Sequence, residues 1–379
     1  MIGDFLRGLF YDLVHRCQVL RSLLEHREHH PDVTGYAIQI LDWIAQIEGE
    51  IAELMADPTL GTPPLLVNNL RDYRLRAQLI KLLEWFPVPA VLRYGPSDHY
   101  FFTLTSRVAS QINYPLPVPI VFAFSKDYYW SQPLFNLIGV PALEEHSLLG
   151  LPDMFHEMGH LLIRERRDEL LGRFQEELRA HFATEKQRVR DKQKPPEYEV
   201  ILERVQEQWI DTWMAEFASD MMATYLVGPA YGWANLRLCS SSLSDDVFRP
   251  GPDDVEATHP SDDARLRGIV NMLDVLDLET DARQIEQRWG DYVTLTGHNA
   301  PQDYALCYPP SLLEHLAQLV YQECTSIGLK AYTEQPPASG DTNILILIND
   351  AWNEFLMKPD EYLQWEEEHL AELRRGLGV

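Results

Sequence analysis

The sequence predicts a mainly α-helical fold of the α+β kind, with one small edge sheet, and three observations carry this prediction. Apolar residues recur every three or four positions over long stretches, beginning with residues 4–56, and this period indicates amphipathic helices. Proline and glycine cluster in short segments such as 57–64 and 333–341, which indicates breaks between helical regions. A short run, 117–124, has the composition of a strand.

Composition is typical of a globular protein and narrows the range of partners. The chain has 379 residues, of which 45% are hydrophobic, so it can bury a sizeable core. Its net charge of −26 repels phosphate groups, so we expect no nucleic-acid partner. We find neither a signal peptide nor an apolar run near the roughly 18–20 residues of a membrane helix. The four cysteines lack metal-binding spacing, so we expect a cytoplasmic protein without membrane insertion.

The first 60 residues predict a helical hairpin. Two apolar stripes at helical spacing lie on either side of Pro31, and two adjacent stripes most simply pack as antiparallel helices. An alternative is an arm that binds a protein partner or a second copy. The segment 57–64 predicts a domain boundary, which divides the chain into residues 1–60, a core at 65–300 and a C-terminal helical region at 301–379.

The next part of the chain predicts two helices and then the strand. Helices are predicted at 68–85, ended by Pro87 and Pro89, and at 98–113. The prolines in 117–124 place that strand at a sheet edge or at a strand start. The aromatic loop 126–132 that follows can form the rim of a site.

The motif His-Glu-Met-Gly-His occupies residues 156–160. Residues four apart lie on one face of a helix, so His156 and His160 can bind one metal ion, as in the zinc motif H-E-x-x-H. Glu157 lies beside them, where a carboxylate can take a proton from water. The alternative is a surface helix with two chance histidines.

Residues 164–196 form a charged helical insertion. Positions 164–194 hold ten Lys or Arg against seven Asp or Glu in a chain that is otherwise acidic. We expect a solvated helix that extends the motif helix and ends before the prolines at 195–196. It is either a plain surface helix with ion pairs, or a cap over the site or a docking face for an acidic partner.

A second pair of chemical groups lies in the predicted helix 197–227. Glu216 and Asp220 are four apart in an apolar stretch, where carboxylates need partners. Glu216 as third ligand completes a His-His-Glu zinc site. Asp220 can accept the other ring N–H of a ligand histidine. Alternatively, both are half-exposed and paired with arginines. Further helices are predicted at 262–276, 280–293, 310–328, 342–356 and 359–375, after a loop at 245–260.

Together these motifs resemble the gluzincin zinc metallopeptidases. The His-Pro at 259–260, with Arg265 five residues beyond the proline, resembles the CAAX-prenyl-protease type. The resemblance covers about residues 115–275 and departs from that type in lacking membrane spans. It implies Zn²⁺ on His156, His160 and Glu216, with Glu157 as general base. It also implies that the strand 117–124 pairs with substrate and that His259 and Arg265 act at the oxyanion.

The expected function is therefore that of a zinc-dependent metallopeptidase, a hydrolase that cuts peptide bonds in a peptide or protein substrate. Two other functions stay open. One is a zinc-containing protein-interaction module with little hydrolysis, and the other is a zinc hydrolase of a non-peptide amide. For the His-Pro motif at 259–260 and Arg265, the alternative is that His259 faces solvent and Arg265 pairs with Asp262 or Asp263.

Overall fold

The computed structural model describes residues 2–60, 62, 65–125, 128–241, 247–252, 255, 257–335 and 343–379. Over these ranges the chain is mainly helical with a small three-stranded sheet, which confirms the predicted fold class. Four predicted segments lie partly outside the described residues. They are the linkers at 57–64 and 333–341, the loop at 245–260, and the aromatic loop at 126–132, in which 126–127 are not described. No helix in the described ranges is both long enough and apolar enough to cross a membrane.

The chain forms two compact units. The first comprises the chain up to Phe102 together with Ile120–Phe122, and the second comprises Thr103–Pro119 and Ala123–Val379. The predicted three-part division at 1–60, 65–300 and 301–379 is a different partition and stays a prediction.

The first unit is mainly helical, and most residues of the apolar stripes predicted for the hairpin are buried in its core, although Ile38 is 56% exposed. Helix α1 (Ile2–Glu25) packs on α2 (Pro31–Ala56) and α3 (Leu66–Trp85), and Arg21 of α1 pairs with Glu48 of α2. Helix α3 ends at Trp85, before Pro87, as predicted. The chain then enters another helix at Pro87, because a proline in the first turn needs no N–H partner. The helices are α1 (Ile2–Glu25), α2 (Pro31–Ala56), α3 (Leu66–Trp85), α4 (Pro87–Leu92) and the start of α5 (Pro96–Gln111).

The sheet contains β1 (Ile120–Ser125), β2 (Trp130–Gln132) and β3 (Leu137–Pro141) in the order β1-β3-β2. Strands β2 and β3 are antiparallel, with Trp130 opposite Gly139. The predicted strand is therefore β1, at one edge of the sheet. Strands β2 and β3 have only three and five residues, too few to show a clear period of two in the sequence.

The second unit is built around helix α9, whose residues are almost all buried. Helices α6, α11 and α14 pack directly on it. The helices of this unit are α6 (Pro152–Glu165), α7 (Arg167–Asp191), α8 (Glu197–Gln208), α9 (Met214–Val227), α10 (Pro229–Ser241), α11 (Asp262–Val275), α12 (Glu279–Thr296), α13 (Tyr304–Cys307), α14 (Pro310–Ser326), α15 (Ile344–Met357) and α16 (Tyr362–Leu377).

The charged insertion differs from its prediction in one respect. It does not extend α6, because the helix ends at Arg166, whose backbone (φ −127°, ψ 34°) leaves the helical region, and α7 starts afresh. The apolar stripe of α7 is buried, and α7 packs on α8 and α14. The insertion is therefore part of the core of the second unit and not only a solvated surface helix.

A π-helical turn, Trp209–Trp213, joins α8 to α9. The indole of Trp209 donates to the carbonyl of Cys307 (2.8 Å), and that of Trp213 donates to the carbonyl of Ala257 (2.9 Å). Such turns are rare and occur often at functional sites. This one lies immediately before Glu216.

Gly159 allows α6 and α9 to approach closely. A Cβ atom at this position would lie 3.1 Å from the Cα of Ser219 and 3.2 Å from its Oγ. These atoms belong to the facing helix, so a larger side chain can be accommodated only if the two helices move apart. The glycine inside the predicted metal motif therefore sets the distance between the two helices.

We expect Gly159→Ala to lower the free energy of unfolding by about 1–3 kcal/mol, the usual cost of overpacking. Thermal or urea denaturation measures this. The matched control is Gly172→Ala in α7, where a Cβ meets no atom within 4 Å. That change should be neutral or stabilising by up to about 1 kcal/mol, because alanine favours helix. Equal effects of the two substitutions would contradict the packing argument.

Candidate metal centre

Helices α6 and α9 bring three side chains to one point. The Nε2 atoms of His156 and His160 lie 3.0 Å apart. The Oε2 atom of Glu216 lies 3.5 Å from Nε2 of His156, and its Oε1 atom lies 3.4 Å from Nε2 of His160. Two ring nitrogens and one carboxylate oxygen thus lie within 4.8 Å of one another, close enough to hold one metal ion.

These spacings suit a tetrahedral zinc ion. Zinc binds nitrogen and oxygen at about 2.0–2.2 Å in tetrahedral geometry, which separates neighbouring ligand atoms by about 3.3 Å. The two ring nitrogens lie 3.0 Å apart, and each lies 3.4–3.5 Å from a different oxygen of Glu216, close to that value. Three protein ligands also leave a fourth position for water or substrate, as catalytic zinc sites require.

The charges around this point also suit a divalent cation. The carboxylates of Glu216 and Asp220 act on one cation, the guanidinium of Arg265, and the carboxylate of Glu157 acts on His160, so acidic groups outnumber this cation. Asp220 is fully buried and Glu157 is 8% exposed, and buried charge without compensation is costly. The Oε2 atom of Glu216 is buried and has no hydrogen-bond partner among the described residues. A metal ion would satisfy both the charge and the orphaned oxygen.

Asp220 fixes the orientation of the His156 ring. Its Oδ1 atom lies 2.8 Å from Nδ1 of His156, so the ring N–H points to Asp220 and the Nε2 lone pair points to the centre. Arg265 donates to both oxygens of Asp220, at 2.8 and 2.7 Å. This bidentate contact is the strong geometry for arginine and carboxylate.

Tyr231 is a residue of this network that the sequence analysis missed. Its hydroxyl donates to Oδ1 of Asp220 at 2.5 Å and lies 3.1 Å from Nδ1 of His156. Its ring stacks parallel to that of His156. The available signal was the proline at position 229, because a proline after a helix stop can also occupy the first turn of a new helix.

The electrostatics of the ligands follow from this arrangement. Burial acts to lower the pKa of His156, but the hydrogen bond and charge of Asp220, with the close carboxylate of Glu216, outweigh it and raise the pKa to about 10. Burial acts to raise the pKa of Glu216, but the close contact and charge of His156 lower it to about 2. Burial and the charge of His156 lower the pKa of His160.

The structure places Arg265 differently from the sequence prediction. We expected it to face the cleft, where it would contact the oxyanion or substrate, and the alternative was a pair with Asp262 or Asp263. Its guanidinium instead contacts Asp220, 45 residues earlier in the chain, and its side chain is 12% exposed. Asp263 pairs with Arg267. The contacts of Arg265 therefore support a positioning role through Asp220 and His156.

We expect Arg265→Lys to weaken zinc binding by about tenfold, the low end for residues that orient a metal ligand. A lysine keeps the charge but loses the two-point contact that holds Asp220. Competition with a zinc chelator measures the affinity without any activity assay. Arg267→Lys is the matched control, because Arg267 lies on the same helix and pairs with Asp263. Equal zinc affinities for Arg265→Lys and the unchanged protein would contradict the positioning role.

His259 lies near the centre but faces solvent. Its side chain is 64% exposed, and its Nε2 atom is 3.8 Å from Oε2 of Glu216. The loop that carries it is held from α8 and the π turn, because Gln208 and Trp213 both donate to the carbonyl of Ala257, at 2.6 and 2.9 Å. Ser261 then caps α11 by accepting from the N–H of Ala264. His259 is thus placed beside a ligand while remaining accessible to a substrate.

Glu157 and a recess complete the surroundings of the centre. Glu157 follows the ligand His156 directly on α6, and its charge acts on His160. His160 also lines an open recess of about 570 Å³, whose other walls come from β2's end, α6, α7 and α9. Arg164 and Arg167 lie on its rim. The start of the charged insertion is therefore next to the candidate centre.

The described part of the aromatic loop contacts the motif helix. The hydroxyl of Tyr128 donates to Asp153, in the first turn of α6, at 2.6 Å. Burial raises the pKa of Asp153 to about 7. Because the strand order is β1-β3-β2, β2 is the second edge strand of the sheet. Strands β2 and β3 pack on α6, the helix of the candidate metal centre. The sequence analysis had assigned that position to 117–124.

No protein-family model, curated protein or solved structure matches this chain. The resemblance to the gluzincins therefore depends on the three sequence motifs alone and stays an expectation.

Proposed function

We propose that this chain is a zinc-dependent metallopeptidase that hydrolyses peptide bonds. The observation that carries the proposal is the convergence of His156, His160 and Glu216 at spacings of 3.0–3.5 Å, close to those of a tetrahedral zinc site. A purely structural zinc site is normally closed by four protein ligands. This one offers three ligands and a neighbouring carboxylate, which favours catalysis.

Glu157 is the proposed general base. It is buried beside the ligand pair but is not needed as a ligand, so its carboxylate can take a proton from water and later give it to the leaving amine. Zinc, when bound, supplies a Lewis acid that polarises a carbonyl and lowers the pKa of water.

The remaining side chains hold the ligands and the substrate in place. Asp220, with Arg265 and Tyr231, keeps the Nε2 atom of His156 directed to the centre. His259 is the proposed donor to the developing oxyanion, because it is accessible and lies beside Glu216.

An extended peptide or an unfolded protein segment fits as the substrate. The recess beside His160 is open, and β2 is an edge strand packed on α6. Edge strands bind extended peptides through backbone hydrogen bonds.

The test is hydrolysis of an unfolded protein and of mixed short peptides by the purified chain, followed by mass spectrometry. Removal of zinc with a chelator should abolish cleavage, and stoichiometric zinc should restore it. A preparation of Glu157→Gln, purified in the same way, controls for contaminating proteases. Cleavage that survives metal removal, or that is equal in the control, would contradict the proposal.

Two other functions are outcomes of the same experiment. Retained zinc without cleavage of any peptide would favour an interaction module. Exposed apolar side chains on α1, Phe5 (66%) and Tyr11 (64%), are candidate contacts for a protein partner in that case. Cleavage of simple amides but not of peptides would favour a non-peptide amide hydrolase.

A further inference from the structure

A second group of metal-ligand side chains lies in the first unit. His30 and Asp32 belong to the start of α2, and His99 to the first turn of α5. Among the described residues, two groups of three or more such side chains have ligand atoms close together. One is this group, and the other is the candidate centre on α6 and α9. The proposed function makes no use of it.

Asp32 is at the middle of this cluster. Its Oδ2 atom lies 2.6 Å from Nδ1 of His99 and 3.3 Å from Nδ1 of His30. Tyr94 also donates to Oδ2, at 2.7 Å. The rings of His30 and His99 have their centroids 5.0 Å apart, so both imidazoles face one carboxylate.

Nδ1 of His30 has two neighbours, and neither holds it closely. The backbone N–H of Asp32 lies 3.4 Å away at the start of α2, and Oδ2 of Asp32 lies 3.3 Å away. Both distances are long for a hydrogen bond. This nitrogen can therefore turn to a cation that Asp32 also binds.

The chemistry of the three groups selects the kind of ion. Two imidazole nitrogens and one carboxylate oxygen suit borderline divalent cations such as zinc or cobalt, whereas calcium and magnesium prefer oxygen ligands alone. The side chains of His30 and His99 are 42% and 36% exposed, so an ion and its water ligands can reach them from solvent.

We propose that His30, Asp32 and His99 form a second metal site, structural in role, that binds a borderline divalent cation such as zinc. Because the ligands come from two segments that are 67 residues apart, a bound ion ties the start of α2 to the first turn of α5. Such an ion stabilises the folded chain, because the same ligands are scattered when it is unfolded. The exposed site binds more weakly than the buried centre.

The test counts metal equivalents in the full chain by titration with Zn²⁺, and with Co²⁺ as a spectroscopic probe. After the first, tightly bound zinc ion, one further zinc ion per chain should bind. Its binding should raise the melting temperature of the chain. The substitution His99→Gln removes a ligand but keeps an N–H that can donate to Asp32, so it should fold and should lose only the further equivalent and its thermal shift. The double variant His156→Ala/His160→Ala should keep this weaker equivalent, so the result is independent of the proposed peptidase site.

Two controls separate this site from a hydrogen-bonded cap or from adventitious surface binding. Tyr94→Phe removes a hydrogen bond to Asp32 but no ligand, and it should keep the further equivalent. His315→Ala removes an exposed histidine that contacts Glu177, and it should have no effect. The proposal is overturned if no further equivalent binds, or if that equivalent survives in His99→Gln.

Discussion

Replacing both His156 and His160 with alanine is expected to reduce tightly bound zinc from about one ion per chain to almost none. The two imidazoles supply two of the three ligands at the centre, with their Nε2 atoms 3.0 Å apart, and a single carboxylate cannot hold zinc tightly. Peptide hydrolysis should fall to background with the metal. Elemental analysis after dialysis against a weak chelator measures the loss, and circular dichroism establishes that the variant is folded.

The control for this experiment is the double variant His146→Ala/His315→Ala, which removes two exposed histidines and should retain about one zinc ion. His99→Gln is included in every chain so that the cluster in the first unit does not contribute. Stoichiometric tight zinc in His156→Ala/His160→Ala would falsify the proposed metal centre.

Replacing Glu157 with glutamine is expected to lower kcat by at least about a hundredfold, the lower limit for loss of general acid–base catalysis. The amide has the shape of the carboxylate but cannot take a proton. Since Glu157 is not among the three converging ligands, zinc should remain at about one ion per chain. Steady-state kinetics on a peptide substrate, together with elemental analysis, checks both expectations.

Glu176→Gln, at an exposed position on α7, is the matched control and should leave kcat unchanged. Two outcomes would oppose the mechanism. Full activity of Glu157→Gln would show that Glu157 is not the general base. Loss of zinc from this variant would show that Glu157 is a ligand instead.

The sequence predicted the helical class and the common face of His156 and His160, because both depend on local spacing. The two histidines lie one helical turn apart whatever the rest of the chain does. No local rule relates residues 60 positions apart, so Glu216 was inferred as the third ligand from the need of a carboxylate in an apolar helix for a partner and from the His-His-Glu ligand set. The structure brings all three together through the close packing of α6 and α9, which Gly159 permits.

Other contacts of the site had no local signal. The pairing of Arg265 with Asp220 depends on how α11 packs on α9, whereas the acids nearest to Arg265 in sequence suggested a different partner. Tyr231 was missed because a glycine followed by proline indicates the end of a helix, but here it also begins α10. The break between α6 and α7 at Arg166 carries neither glycine nor proline, so the sequence offered no signal for it.

The π turn before α9 sets the angular phase of Glu216, the proposed third metal ligand. A π turn takes up one residue more than an α turn, and one residue corresponds to about 100° of rotation about a helix axis. Suppose that the turn were an ordinary α turn and that Leu202 and Val205 of α8 stayed buried where they are. Glu216 would then point away from the two histidines. The same turn holds the loop of His259 through Trp213. A single irregularity of the backbone thus keeps both the third ligand and the proposed oxyanion donor in register with α6.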